Sequence, residues 1–121
     1  MHILIVEDDA SIRDMLIECL SEEGYTVAAA RQGQEALNLL HTSANWPDLI
    51  LLDLTMPIMN GREFLAMLQQ DEGLAAIPVV VFSADRSVQQ QAELPASIAT
   101  VAKPIDIDVL LELVASYRTH V

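Results

Sequence analysis

Leu49-Ile50-Leu51-Leu52-Asp53 is the most apolar strand-length run of the chain, and it ends on a carboxylate. Four aliphatic residues in succession do not alternate with polar ones, so both faces of such a strand need cover, as in a parallel sheet. Trp46-Pro47 precedes the run, and the turn-rich Met56-Pro57-Ile58-Met59-Asn60-Gly61 follows it. Working outward, three further runs have the same character. His2-Ile3-Leu4-Ile5-Val6 meets acid at Glu7, Ile77-Pro78-Val79-Val80-Val81-Phe82 ends at Ser83, and Ile98-Ala99-Thr100-Val101-Ala102 ends at Lys103-Pro104. Tyr25-Thr26-Val27-Ala28-Ala29 reads as one more strand.

Between these runs the period changes from strand to helix. Ile12, Met15, Leu16, Cys19 and Leu20 recur at helical spacing after Asp9 or Ser11, either of which can cap, and Gly24 stops the helix. Gly33 to about Thr42 reads as a helix with Ala36, Leu37 and Leu40 facing in. Phe64, Leu65 and Leu68 mark a third helix, and a short polar one runs from roughly Ser87 to Leu94. Asp106 can cap a last helix with Ile107, Leu110, Leu111, Val114 and Tyr117 on its apolar face. Five strands alternating with five helices imply an α/β fold: an open parallel sheet with helices on both sides.

Composition narrows the function. The 121 residues fit one domain and suffice for a core, since a chain of this size buries roughly two-thirds of its unfolded surface. Six basic residues against 18 acidic ones leave a net charge of −12, which opposes direct contact with nucleic acid or anionic lipid. No apolar run reaches the length of a membrane span, and the N-terminus carries no basic leader, so a cytoplasmic protein is expected. Cys19, the single cysteine, cannot close an internal disulfide and lies on an apolar helix stripe, where packing is the ordinary role. Lys103 is the only lysine, and it is set between apolar neighbours rather than on a solvated face.

In open parallel sheets, ligands bind beyond the carboxyl ends of the strands. There the chain places Glu7, Asp8 and Asp9 after the first strand, Asp53 at the end of the third, Ser83 at the end of the fourth and Lys103 after the fifth. Any one of these has an ordinary structural explanation as a cap, a turn residue or a surface charge. Together they are a charge-handling set. Clustered carboxylates repel, and a divalent cation relieves the repulsion. An all-oxygen site suits Mg²⁺ or Mn²⁺ rather than zinc. Such an ion, a lysine and a hydroxyl can stabilise charge on a phosphoryl group moving to a carboxylate.

These segments resemble the receiver domains of two-component response regulators over essentially the whole chain. Ile3 to Asp9, Pro47 to Gly61, Val79 to Ala84 and Val101 to Ile105 carry the likeness. The resemblance implies a three-layer, doubly wound (βα)5 flavodoxin-like fold with strand order 2-1-3-4-5, as a single receiver domain over residues 1–121 without an output domain. It implies that Asp53 accepts a phosphoryl group from the phosphohistidine of a sensor histidine kinase or phosphotransfer protein. Glu7, Asp8, Asp53 and the Thr55 carbonyl would hold Mg²⁺, with Asp8 a direct ligand and Glu7 acting through water. Ser83 and Lys103 would contact the phosphoryl group, and Asp9 would cap the first helix. The protein would be a signalling switch, not an enzyme, contributing to its own phosphorylation and dephosphorylation, with Thr55 and Asp85 where the family tunes the latter. The downstream partner would be another protein, reached by docking or by passing the phosphoryl group on; a monomer is expected, with a weak dimer as the alternative.

The output side departs from the family pattern. Thr100 stands where an aromatic residue is common, and Pro95-Ala96-Ser97 replaces the usual Gly-Ala before the fifth strand. Pro104 occupies a position that often follows a cis bond in the family. Three other readings compete: a receiver-like interaction module without phosphorylation, a Mg²⁺-dependent phosphohydrolase, and an FMN binder. The phosphohydrolase wants a second acid where Thr55 stands, and Glu7-Asp8-Asp9 would repel the phosphate of FMN.

Overall fold

The chain begins as a strand because His2 to Val6 has both faces to bury and no turn residue to interrupt it. In the computed structural model, residues 1–42, 46–53, 61–83, 99–102 and 106–118 are described, those at 61, 62, 72, 83, 100, 102 and 118 by backbone alone. The strands are β1 (His2–Val6), β2 (Thr26–Ala30), β3 (Leu49–Asp53), β4 (Val79–Ser83) and β5 (Ala99–Ala102). The helices among the described residues are α1 (Ala10–Glu22), α2 (Gly33–Thr42), α3 (Gly61–Gln69), α4 (Glu72–Ala75) and α5 (Ile107–Arg118). All four strand pairings are parallel, and the order is β2-β1-β3-β4-β5, the expected doubly wound sheet.

The sheet divides the core into two clusters. Leu4, Val6, Ile50, Leu52, Val79 and Val81 face α2, α3 and α4. Ile3, Ile5, Leu49, Leu51, Val80 and Phe82 face α1 and α5. Neighbouring residues along a central strand therefore belong to opposite cores, which is why residues 3–6, 49–52 and 79–82 are apolar without alternation. Each fully buried aliphatic side chain here contributes roughly 1.5–3 kcal/mol.

Local chemistry sets the element ends. Asp9 caps α1, its carboxylate accepting from the Ile12 N–H at 3.1 Å. The helix ends on a Schellman turn: the Gly24 N–H donates to the Ser21 carbonyl and the Tyr25 N–H to that of Leu20. Gly24 takes the left-handed φ of 91° that the turn requires. Because the Tyr25 N–H is spent on the helix, β2 starts at Thr26, whose N–H donates to the Met1 carbonyl. Asp106 accepts from the Asp108 and Val109 N–H groups and so caps α5. β4 starts at Val79 because Pro78 has no N–H; its carbonyl accepts from the Ile50 N–H at 3.0 Å.

Helix α4 was not expected from the periodicity. Asp71 caps it, accepting from the Gly73 and Leu74 N–H groups, and Leu74 is buried in the α2–α3 core. The Trp46 ring lies over Gly73, and its indole Nε1 donates to the Leu40 carbonyl at the end of α2. The expected helix near 87–94 lies outside the described residues.

Candidate functional site

Strand register decides which side chains meet at the carboxyl edge of the sheet. Val6 pairs with Leu52, so Glu7 leaves β1 level with Asp53. Asp53 pairs with Phe82, and Ser83, one step further, pairs with Ala102. The two central strands thus bring acid to one point of the edge, while β4 ends on a hydroxyl-bearing residue level with the last residue of β5, Ala102. The ligand contacts of Thr55 and Lys103, the Ser83 and Thr100 side chains, Asp85, the segment 95–97 and Pro104 lie outside the described residues.

One oxygen from each of Glu7, Asp8 and Asp53 lies within 4.8 Å of the other two. Glu7 and Asp53 are almost wholly buried, at 0% and 1% exposure, whereas Asp8 reaches solvent. Among the described residues, Glu7 and Asp53 are the only charged side chains in the core. Burying a carboxylate is costly unless it gains a compensating charge and hydrogen bonds. A fold that buries two, with a third at the surface, has a reason beyond stability. Three hard oxygen donors with one side open to solvent fit Mg²⁺ or Mn²⁺, which bind oxygen and keep part of their water.

The loop carrying the pair is well tied. The Glu7 N–H donates to the Ala30 carbonyl at 3.0 Å, prolonging the β1–β2 ladder. The Asp9 N–H donates to Glu7 Oε1 at 3.1 Å. Arg13 Nη1 donates to the Glu7 carbonyl at 3.0 Å and, more weakly, to that of Asp8 at 3.5 Å. Asp9, the third acid in the row, is turned to helix capping, as expected. Sequence reasoning missed Arg13. Its position four residues after Asp9 was visible, but a side-chain bond to carbonyls behind the helix has no signature in spacing.

Comparison with known proteins agrees with this geometry. The family model for the response regulator receiver domain matches residues 3–115. The chain is 36% identical over 116 residues to sporulation initiation phosphotransferase F of Bacillus subtilis, covering 95% of this chain and 91% of that protein. Other curated relatives are longer, and the chain spans only 17% to 36% of several of them. Among solved structures, the receiver domain of a signal transduction histidine kinase from Syntrophus aciditrophicus superposes with a TM-score of 0.86 at 33% identity, covering 99% of this chain and 91% of that one. Response regulator TrrA of Thermotoga maritima, solved in complex with Mg²⁺–BeF, gives 0.82 at 28% identity, with 96% and 97% covered. On fold, register and family match together, the chain belongs to the response regulator receiver domains, the phosphorylation-dependent signalling switches of two-component systems.

Proposed function

We propose that Asp53 is the phosphoacceptor of this receiver and that Glu7, Asp8, Asp53 and the Thr55 carbonyl hold the Mg²⁺ it needs. The observation that carries the reading is the convergence of three carboxylate oxygens within 4.8 Å, two of them from buried residues at the carboxyl ends of the adjacent strands β1 and β3. The bound ion would supply positive charge to offset that of the carboxylates and of the incoming phosphoryl group.

Asp53 is the nucleophile: a carboxylate oxygen bonds to phosphorus as the P–N bond of a phosphohistidine breaks, leaving an acyl phosphate on Asp53 and a neutral imidazole on the donor once it takes up a proton. The register of β3 keeps the Asp53 backbone rigid, which limits the entropy lost on reaching the reactive geometry. Ser83 ends β4 level with Ala102 of β5, after which Lys103 comes next in the sequence, and their roles are to donate a hydroxyl hydrogen bond and a point charge to phosphoryl oxygens. The phosphoryl donor is a sensor histidine kinase or a phosphotransfer protein. The phosphorylated form binds a protein target or hands the group on, and the site contributes to its own dephosphorylation. A single receiver domain working as a cytoplasmic monomer fits this role.

Incubation with Mg²⁺ and acetyl phosphate tests the assignment. Intact mass is expected to show one added phosphoryl group, absent from Asp53→Ala and absent when the metal is chelated. An undiminished adduct on Asp53→Ala would remove the assignment.

A further inference from the structure

The two carboxylates that β1 delivers stand on a loop, not on a strand. Past the Glu7 N–H bond to Ala30, the β1 ladder ends, and among the described residues α1 and its N-cap add restraints on Glu7 and Asp8. Arg13 supplies two of them from the first turn and a half of that helix, through one guanidinium nitrogen on consecutive carbonyls. Asp9 adds another: its N–H donates to Glu7 Oε1, and its side chain caps α1 by accepting from the Ile12 N–H. Loop and helix therefore close into one hydrogen-bonded ring, with a half-buried Arg13 as its far side.

We infer that Arg13 is a positioning residue for the cation site: by holding the Glu7 and Asp8 carbonyls it sets where their carboxylates stand relative to Asp53. This rests on the Mg²⁺-assisted reading given above. Two effects of Arg13 oppose each other. Its positive charge near the acidic group weakens cation binding. Its bonds pre-arrange the ligands, which strengthens binding, and loss of such an outer partner commonly costs ten- to a hundredfold in metal affinity. Both bonds go to main-chain oxygens rather than to the carboxylates, so the arrangement favours positioning over neutralisation. Both bonds come from the one nitrogen Nη1, so the ammonium of a lysine, on a shorter side chain, reproduces part of this.

The test uses the full chain as wild type, Arg13→Lys, Arg13→Gln and Arg13→Ala. Calorimetric titration with MgCl₂ measures metal binding without any phosphodonor. Acetyl phosphate labelling across Mg²⁺ concentrations separates affinity from the plateau rate. Amide exchange without metal reads the loop. Gln and Ala are expected to raise the Mg²⁺ dissociation constant about tenfold. They should raise the half-saturating Mg²⁺ for labelling by the same factor and leave the plateau rate within about twofold. Lys should recover part of the affinity. The Asp9 amide should exchange faster in Gln and Ala, with Leu51 unchanged. Mg²⁺ affinity in Gln equal to or tighter than wild type would overturn the inference, as would a lower plateau at unchanged affinity. Should Ala fail to fold, Gln and Lys carry the comparison. A wild type that binds Mg²⁺ but is not labelled at Asp53 would defeat the phosphoacceptor reading while the titration still decides the role of Arg13; a wild type that binds no Mg²⁺ would defeat both.

Discussion

Asp53 puts a carboxyl group in a place where charge is expensive. It is buried, and oxygens of Glu7 and Asp8 lie within 4.8 Å of one of its own. Two further carboxylates that close raise the free energy of the folded state when no cation is present. Asp53→Asn keeps the shape and removes one charge. It is expected to raise stability in the presence of chelator by about 1 kcal/mol, the scale of relieving one unfavourable charge at a functional site. Saturating Mg²⁺ should narrow or reverse the gap, because the ion favours the wild type. Thermal melts of both proteins with and without Mg²⁺ check this, and a lower midpoint for the variant in chelator would contradict it. At this scale the sequence was highly legible. Glu7, Asp8 and Asp53 end up together because each follows an apolar run whose strand identity was readable. Arg13 was not legible, since its partners are backbone carbonyls and carry no residue type.

Among the elements, α4 and its contact with Trp46 were the least readable. Four helical residues are too few for a period, and only Asp71 as a cap and Leu74 as a buried residue mark them. By contrast α1, α2, α3 and α5 bury the side chains that their spacing singled out, such as Leu16, Leu20, Ala36, Leu37, Leu40, Phe64, Leu65, Leu68, Leu110 and Val114. The strand limits shifted where backbone N–H groups decide, as at Tyr25 and Pro78, because hydrophobicity does not record where an N–H is spent. Gly73 is the sharpest element-scale test. A Cβ there would lie 2.6 Å from two atoms of the Trp46 ring, which the bond to Leu40 restrains. In a Trp46→Ala background, Gly73→Ala should stabilise by about 1 kcal/mol through helix propensity. In the wild type the clash should offset or exceed that gain, overpacking costing about 1–3 kcal/mol. Urea unfolding of the four proteins gives the coupling, and simple additivity would show that the ring yields without cost.

For the molecule as a whole, the sheet is a wall between two cores, and the site lies at the carboxyl edge of that wall. No described helix is long and apolar enough to cross a membrane. A ligand that binds only the folded state stabilises the whole of it. Mg²⁺ at a hundredfold excess over its dissociation constant should add about 2.7 kcal/mol to the unfolding free energy. The same addition should do little for Asp53→Ala. Equal stabilisation of both proteins by Mg²⁺ would place the ion elsewhere. The order of the strands has one more consequence. Residues 7 and 8 are far from residue 53 along the chain and meet it only because β1 and β3 are neighbours in the sheet. On the proposed assignment, a half-unfolded copy has no assembled acceptor site to present, so the signalling pool would count native molecules alone. The receiver's topology would then act as its own quality gate: damage to the fold would silence a copy of the protein rather than corrupt its message.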